Sequence, residues 1–414
     1  MNRPLRIGIL SYRSNPHCGG QGVYLKNLSR ELGALGHHVE IFSGPPDPGL
    51  DPGIPVHFLN GLDLYNPLNP FRVPRWAELV RPLNLYEWIN VSTMGFPEPF
   101  LFGLRAFQCL RRRIGDFDVI HDNQSLSYGI HAISRRIPTV ATIHHPITVD
   151  RQIAVRSSGT AREKFKEYRW HSFLAMQRQI ARRLPRIITV SAASKNDIQR
   201  DFGIAPDRFR MVPNGIDTRL FRPLPGVLRD PGRLIATNSA DTPLKGLSVL
   251  LMAMKRLEEH KAVRLVVIGR PRRNGVIERM IADLDLGGRV TFTGRIGDEE
   301  LVRQYARATA AVVPSLYEGF GLPVGEAMAC GVPVVSTWAG ALPEVVGDAG
   351  ILVAPGDPDA LASAISRLVD DPMKAGEIGR AGYLRVHHHF TWRRAAERTV
   401  DAYRELIDGY GGPR

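Results

Sequence analysis

Short apolar runs with strand character alternate with helical patterns almost throughout this 414-residue chain, and the series is played twice. Leu5-Arg-Ile-Gly-Ile-Leu reads as a strand. Tyr24, Leu28, Leu32 and Leu35 then recur at spacings of four, four and three, which puts them on one helix face. Gly36 stops that helix, and Val39-Glu-Ile-Phe is the next strand. Asp118-Val-Ile-His, Thr139-Val-Ala-Thr-Ile and Arg186-Ile-Ile-Thr-Val continue the series. Strands separated by helices pair in parallel, with helices covering both faces of the sheet.

The pattern pauses at residues 222–232, a run rich in proline and glycine that reads as a linker. It restarts with Leu234-Ile-Ala-Thr, a helix from Leu244 to Glu259, and a strand from Val263 to Ile268. Val290-Thr-Phe-Thr, Ala310-Ala-Val-Val, Val332-Pro-Val-Val and Gly350-Ile-Leu-Val complete a second parallel sheet. The expectation is an α/β chain with two Rossmann-like parallel-sheet domains facing a cleft, 1–221 and 222–389, followed by a C-terminal segment 390–414. A chain of this length exceeds one compact core, which agrees. Residues 44–99 break the rhythm. They are rich in Pro, Asn and aromatics, and read as an insertion in the first domain near an acceptor site.

Three cysteines, Cys18, Cys109 and Cys330, form no disulfide framework and no zinc spacing. A reducing, cytoplasmic location is expected. The net charge of +13 calls for an anionic partner. Residues 151–186 carry ten Lys/Arg and two Glu, a local +8 that reads either as a solvated helix face or as a contact for the inner face of an anionic membrane. No zinc-finger spacing or aromatic ribonucleoprotein motif points to nucleic acid.

Two loops could hold phosphate. Cys18-Gly-Gly-Gln-Gly-Val runs from the first strand into a helix, where glycine permits close approach and the helix N-terminus favours an anion. Strand-to-helix turns also use glycine for geometry alone. The second loop, Val312-Val-Pro-Ser-Leu-Tyr-Glu-Gly-Phe-Gly-Leu-Pro, carries Glu318, and Glu326 follows in what should be the first turn of a helix opened by Pro323. Amides from Gly319 to Leu322 could meet phosphate oxygens. Three Asp-x-Asp pairs (Asp116/Asp118, Asp283/Asp285, Asp357/Asp359) and His387-His388-His389 read as structural, so neither metal nor cofactor is expected.

The segment from Pro314 to Val353 resembles the signature of glycosyltransferase family 4, which has the GT-B fold. Glu318 and Glu326 stand as its E-x7-E pair. Val212-Pro-Asn-Gly-Ile-Asp, Leu244-Lys-Gly, Thr293-Gly-Arg-Ile and Gly19-Gly20 extend the resemblance over essentially the whole chain. It implies a retaining transferase that moves a hexose-type sugar from a nucleotide-diphosphate sugar to a hydroxyl acceptor (a sugar, a lipid-linked sugar or a small molecule), in glycan or glycolipid synthesis. By that resemblance Glu318 would touch the transferred sugar and Glu326 the ribose hydroxyls. Gly319, Phe320, Gly321 and Leu322 would offer amides. Lys245 would pair with the diphosphate, Gly20 would donate an amide to it, and Arg295 and Ile296 would flank the base. His144 would lie near the reacting sugar. The helix from Phe390 to Ile407 would cross back to the first domain. Family members usually carry a second diphosphate cation where this chain has Ser239 and Ala240. Arg270 or Arg272 could replace it. Rival readings are another GT-B enzyme, such as an epimerase, and a weakened sugar-nucleotide-binding protein.

Overall fold

The computed structural model describes residues 3–14, 20–66, 69, 72–237, 243–257 and 263–411. Gly19, Ser239 and Ala240 lie outside them. The chain forms two compact units. One comprises Met1–Val212 with Ala395–Arg414, the other Pro213–Arg394.

The first unit is built on strands β1 (Arg6–Ser11), β2 (His38–Ser43), β3 (Val56–Phe58), β4 (Val119–Asn123), β5 (Thr139–Ile143), β6 (Arg186–Thr189) and β7 (Phe209–Met211). They lie in the order β3-β2-β1-β4-β5-β6-β7, all parallel. The inner strands are buried along nearly their whole length, as expected of a sheet covered on both faces. Gly8 is where β1 must leave room. A Cβ there would stand 2.7 Å from Cδ1 of Ile120 on β4. The helix Gly20–Ala34 buries Tyr24, Leu25, Leu28 and Leu32, and Gly36, with φ of 86°, turns the chain toward β2.

The second unit repeats the plan with β8 (Arg233–Thr237), β9 (Arg264–Ile268), β10 (Val290–Phe292), β11 (Ala310–Val313), β12 (Val334–Thr337) and β13 (Ile351–Val353), ordered β10-β9-β8-β11-β12-β13 and again parallel. Each sheet therefore reverses its winding once, between β1 and β4 and between β8 and β11. Ligands of open parallel sheets bind beyond the strand carboxyl ends at such a reversal.

Three local readings change. The helix expected from Leu244 starts at Leu247, because Gly246 takes a left-handed φ of 67°. Glu326 is the fifth residue of the helix Leu322–Ala329, past the first turn in which the sequence placed it. The last helix is Trp392–Asp408, and the histidine triplet closes the helix before it, Pro372–His389. From Ala395 on the chain packs with the first unit, where Tyr403 shares a 2.6 Å hydrogen bond with Nδ1 of His121 on β4.

Candidate active site

The reversal of the second sheet carries a built polar site. The loop leaving β11 runs through Ser315 and Glu318, and the turn before the helix Leu247–Arg256 carries Lys245. Lys245 Nζ donates to Glu318 Oε1 at 2.6 Å, and Ser315 Oγ donates to the same oxygen at 2.9 Å. The two loops are stitched together by backbone. The Leu316 amide bonds the Leu244 carbonyl at 2.7 Å, and a Cβ at Gly246 would stand 2.0 Å from the Pro314 carbonyl oxygen. Glycine after Lys245 is thus a steric requirement for bringing the ammonium to the carboxylate.

The other side of Glu318 is clamped as well. The Ala341 amide bonds its carbonyl at 2.9 Å, and a Cβ at Gly340 would stand 2.2 Å from that same oxygen. Phe320 turns its ring inward, 5.8 Å from Phe390 and edge-on, which anchors the glycine loop. Gly321 needs its glycine, with φ of 97° and Leu342 Cδ2 only 2.7 Å from a would-be Cβ. Leu322 begins the helix that carries Glu326.

Glu326 stands apart from that pair. Its Oε2 accepts a long hydrogen bond, 3.3 Å, from the hydroxyl of Tyr305. Burial pushes its carboxyl up to about 7, with Asp298 adding to the rise and Tyr305 opposing it. The residue is half-buried, and this oxygen has that one weak hydrogen bond. Tyr305 is not legible in the sequence as part of a site. It sits on the helix Asp298–Arg307 at the buried positions with Val302, where it reads as core. Its signal is the hydroxyl, which a buried tyrosine must satisfy.

Arg270 and Arg295 share the ends of β9 and β10. Arg270 Nε would lie 2.8 Å from a Cβ at Gly294, and both arginines are exposed, with Ile296 half-buried beside them. Arg272 is exposed in the loop after β9.

The first unit carries its own polar cluster at its reversal. His144 follows β5 directly. Its Nε2 bonds Oδ1 of Asn123, the last residue of β4, at 2.8 Å. Asn123 donates its own amide to Ser11 Oγ and to the Gln21 carbonyl, so the oxygen faces His144 and must accept from Nε2–H. The tautomer is thereby set, and Nδ1 has no partner among the described residues. Burial holds the imidazole at about 3, so it stays neutral. The edge of the Tyr24 ring lies against it at 4.7 Å. Tyr24 and His121 meet on Thr142 Oγ1, at 3.0 and 2.7 Å. Gly20 opens the helix Gly20–Ala34 with nothing within 4 Å of a would-be Cβ. Asn123 and its neighbours also escape a reading of the sequence for motifs. Asp122, Asn123, Gln124 and Ser125 form a wholly buried polar run that begins in the last two residues of β4, and that run is the signal.

Two of the Asp-x-Asp carboxylates, Asp118 and Asp357, are engaged elsewhere. Asp118 is held at about 2, because Arg3 and Arg6 outweigh the effect of its burial, and Asp357 caps the helix Pro358–Asp370. Among the described residues no three His, Cys, Asp or Glu stand together as a metal set, and no helix is long and apolar enough to cross a membrane.

Fold and site together define a two-domain α/β enzyme of the GT-B kind. The solved sucrose-phosphate synthase from Thermosynechococcus elongatus superposes with a TM-score of 0.75 at 26% identity, covering 98% of this chain and all of that one. The sequence matches the models for Glycosyltransferase Family 4 over residues 18–220 and for Glycosyl transferases group 1 over residues 232–371. It is 46% identical to an MMP α-(1→4)-mannosyltransferase from Mycolicibacterium hassiacum, over 97% of this chain and 98% of that one. A D-inositol 3-phosphate glycosyltransferase from Saccharomonospora viridis is 28% identical over 99% of this chain and 96% of its own length. The chain belongs to glycosyltransferase family 4 and is a glycosyltransferase of glycan biosynthesis.

Proposed function

We propose that this enzyme moves a mannosyl group, with retention and without a metal ion, from a nucleoside diphosphate mannose to a hydroxyl of a sugar acceptor. The Lys245–Glu318 pair, 2.6 Å apart at the reversal of the second sheet, carries the reading. The likeness to an α-(1→4)-mannosyltransferase supports mannose as the sugar. Nucleoside diphosphate mannose is an α-glycoside, so an α-linked product means retention.

Transfer breaks the bond between the anomeric carbon and the diphosphate oxygen, and charge grows on that oxygen. Lys245 supplies a fixed positive charge for it. A bound diphosphate competes with Glu318 for the ammonium and leaves the carboxylate to accept from a sugar hydroxyl. Glu318 is badly set up as a nucleophile, since Lys245 and Ser315 both draw on one of its oxygens. A double displacement would need a free carboxylate across from the leaving group. The supported course is same-face: the acceptor oxygen bonds to the anomeric carbon as the diphosphate leaves, and the acceptor proton passes to the departing phosphate oxygen. His144, neutral with Nδ1 open, accepts a hydrogen bond from a sugar hydroxyl. Glu326 accepts from the ribose diol.

The test is transfer from GDP-mannose, UDP-glucose and ADP-glucose to methyl α-D-mannopyranoside, in EDTA, with the product's anomeric configuration read by NMR. An α-mannoside formed in EDTA is expected. A β-linked product, or activity that returns only on adding a divalent ion, would overturn the proposal.

A further inference from the structure

In the second unit one hydroxyl stands between two acceptors. Tyr305 is buried on the helix Asp298–Arg307, its ring edge-on to Phe221 at 6.2 Å. Its hydroxyl lies 3.3 Å from Glu326 Oε2 and 3.4 Å from the Pro323 carbonyl oxygen, both on the helix Leu322–Ala329. A phenol has one proton to give, and both distances exceed those of a settled O–H···O bond. The hydroxyl can therefore turn to either acceptor. An ionised carboxylate draws it from the carbonyl, because a hydrogen bond to a charged acceptor is the stronger. A protonated Glu326 returns it to Pro323.

Among the described residues Tyr305 is the only hydrogen-bond donor to the Glu326 side chain, and no lysine, arginine or histidine forms an ion pair with it. Two other titratable groups face this carboxyl. Asp298, the first residue of the helix that carries Tyr305, opposes its ionisation. Cys330, just past the helix that carries Glu326, has its thiol pushed up to about 12, mainly by burial, and stays neutral. Burial, with Glu326 adding to it, holds the Tyr305 phenol well above its ordinary value of 10.0, so the proton stays available. Of Tyr305, Cys330 and Glu326, only Glu326 changes charge near neutrality.

We propose that Tyr305 is a positioning residue for the donor: its hydroxyl holds the ionised Glu326 carboxylate for the ribose diol and so sets the lower pH limit of donor binding. The proposal rests on the reading of Glu326 as the acceptor from the ribose hydroxyls. Tyr305 occupies Oε2 alone. Oε1 has no partner among the described residues and is not enclosed, so it remains for the ribose. A hydroxyl that only fastened the Pro323 carbonyl would matter equally at every pH. One that serves the carboxylate matters most where the carboxyl is about to take up a proton.

Tyr305→Phe in the full chain keeps the buried ring and deletes the proton. The Glu326 midpoint should then move up by about one pH unit from its wild-type place at about 7. Calorimetric affinity for GDP-mannose should fall about fivefold at pH 7, where the ionised fraction drops from about half to about one-tenth, and match the wild type at pH 9. A loss of the same size at both pH values, or no loss at either, overturns the proposal. If Tyr305→Phe does not fold, 3-fluorotyrosine at position 305 decides. It is the stronger donor, so the midpoint should move down, and an unchanged midpoint overturns the proposal. If the wild type binds GDP-mannose without a pH slope, or not at all, the reading of Glu326 as a ribose contact fails separately. Carbon-13 NMR titration of the Glu326 carboxyl in the donor-free protein then decides Tyr305. A higher midpoint in Tyr305→Phe upholds its hold on the carboxylate, and equal midpoints overturn it.

Discussion

Replacing Glu326 by glutamine should uncouple donor affinity from pH and stabilise the fold at the same time. In the folded enzyme burial raises this carboxyl from 4.5 to about 7. At 1.36 kcal/mol per unit, ionising it there costs about 3 kcal/mol relative to the unfolded chain. The sign follows from linkage. The folded pKa lies above the unfolded one, so the stabilisation is complete below pH 4.5 and disappears as pH rises through 7. Glutamine escapes that cost. Urea unfolding should find E326Q up to about 3 kcal/mol more stable than wild type at pH 8, and nearly equal at pH 4. Donor binding runs the other way. A ribose diol donates to the carboxylate, not to the acid, so only the ionised fraction is competent. With a pKa near 7, that fraction falls from about nine-tenths at pH 8 to about one-tenth at pH 6, and apparent affinity weakens about tenfold. Calorimetry with GDP-mannose, whose diphosphate is fully ionised throughout, reads this directly. E326Q should bind weakly and with no slope. A flat wild-type profile, or a glutamine variant that binds as tightly as wild type at pH 8, would refute the assignment of Glu326 to the ribose.

Other consequences are as direct. Lys245→Ala should lower kcat by about two to three orders of magnitude in a steady-state assay, the usual effect of removing a group aimed at developing charge; full activity would sink the leaving-group role. Gly246→Ala puts a Cβ 2.0 Å from the Pro314 carbonyl oxygen at a left-handed φ, so it should cost stability and donor affinity together, seen by thermal shift with and without nucleotide. Tyr403→Phe leaves Nδ1 of buried His121 without its partner, and should destabilise the chain by about 1–3 kcal/mol in urea. Asn123→Asp puts a carboxylate on His144 Nε2–H, so the imidazole should begin to protonate near neutral pH. An NMR titration would follow this, and in the wild type it should show no protonation above pH 5.

The fold is legible where strands are long and apolar. β1, β4, β5, β6, β8, β9 and β11 all begin and end within a residue or two of the runs that announce them. β3 and β7 are not legible. Each is a three-residue edge strand with a polar side chain at its centre, Val56-His-Phe and Phe209-Arg-Met, so no apolar run announces it. The helix after Lys245 begins later than its apolar pattern suggests for a different reason. Hydrophobic periodicity cannot register that Gly246 must approach the Pro314 carbonyl, because that approach joins residues nearly seventy positions apart in the chain.

The same contrast runs through the site. Glu318, Lys245 and Glu326 are readable in the sequence because the loops that present them have a recognisable glycine pattern. Tyr305 and Asn123 are not, because each acts on a site residue from a different element. Tyr305 hides in a helix face that reads as core, and Asn123 at the end of a strand. Both do similar work: Tyr305 is the donor that Glu326 has, and Asn123 is the acceptor that sets the tautomer of His144. Polar side chains at the buried ends of strands and on the inward faces of helices are where that supporting layer should be sought. The run Asp122-Asn-Gln-Ser makes the point, since four successive polar residues are fully buried only when each has a partner to satisfy. Two of them do so by bonding His144, Gln124 through the His144 amide at 2.8 Å and Asn123 through the ring, which fixes both the backbone and the side chain of one residue. Such double fixing exceeds what packing alone requires, and it ties the buried end of β4 to the residue that follows β5.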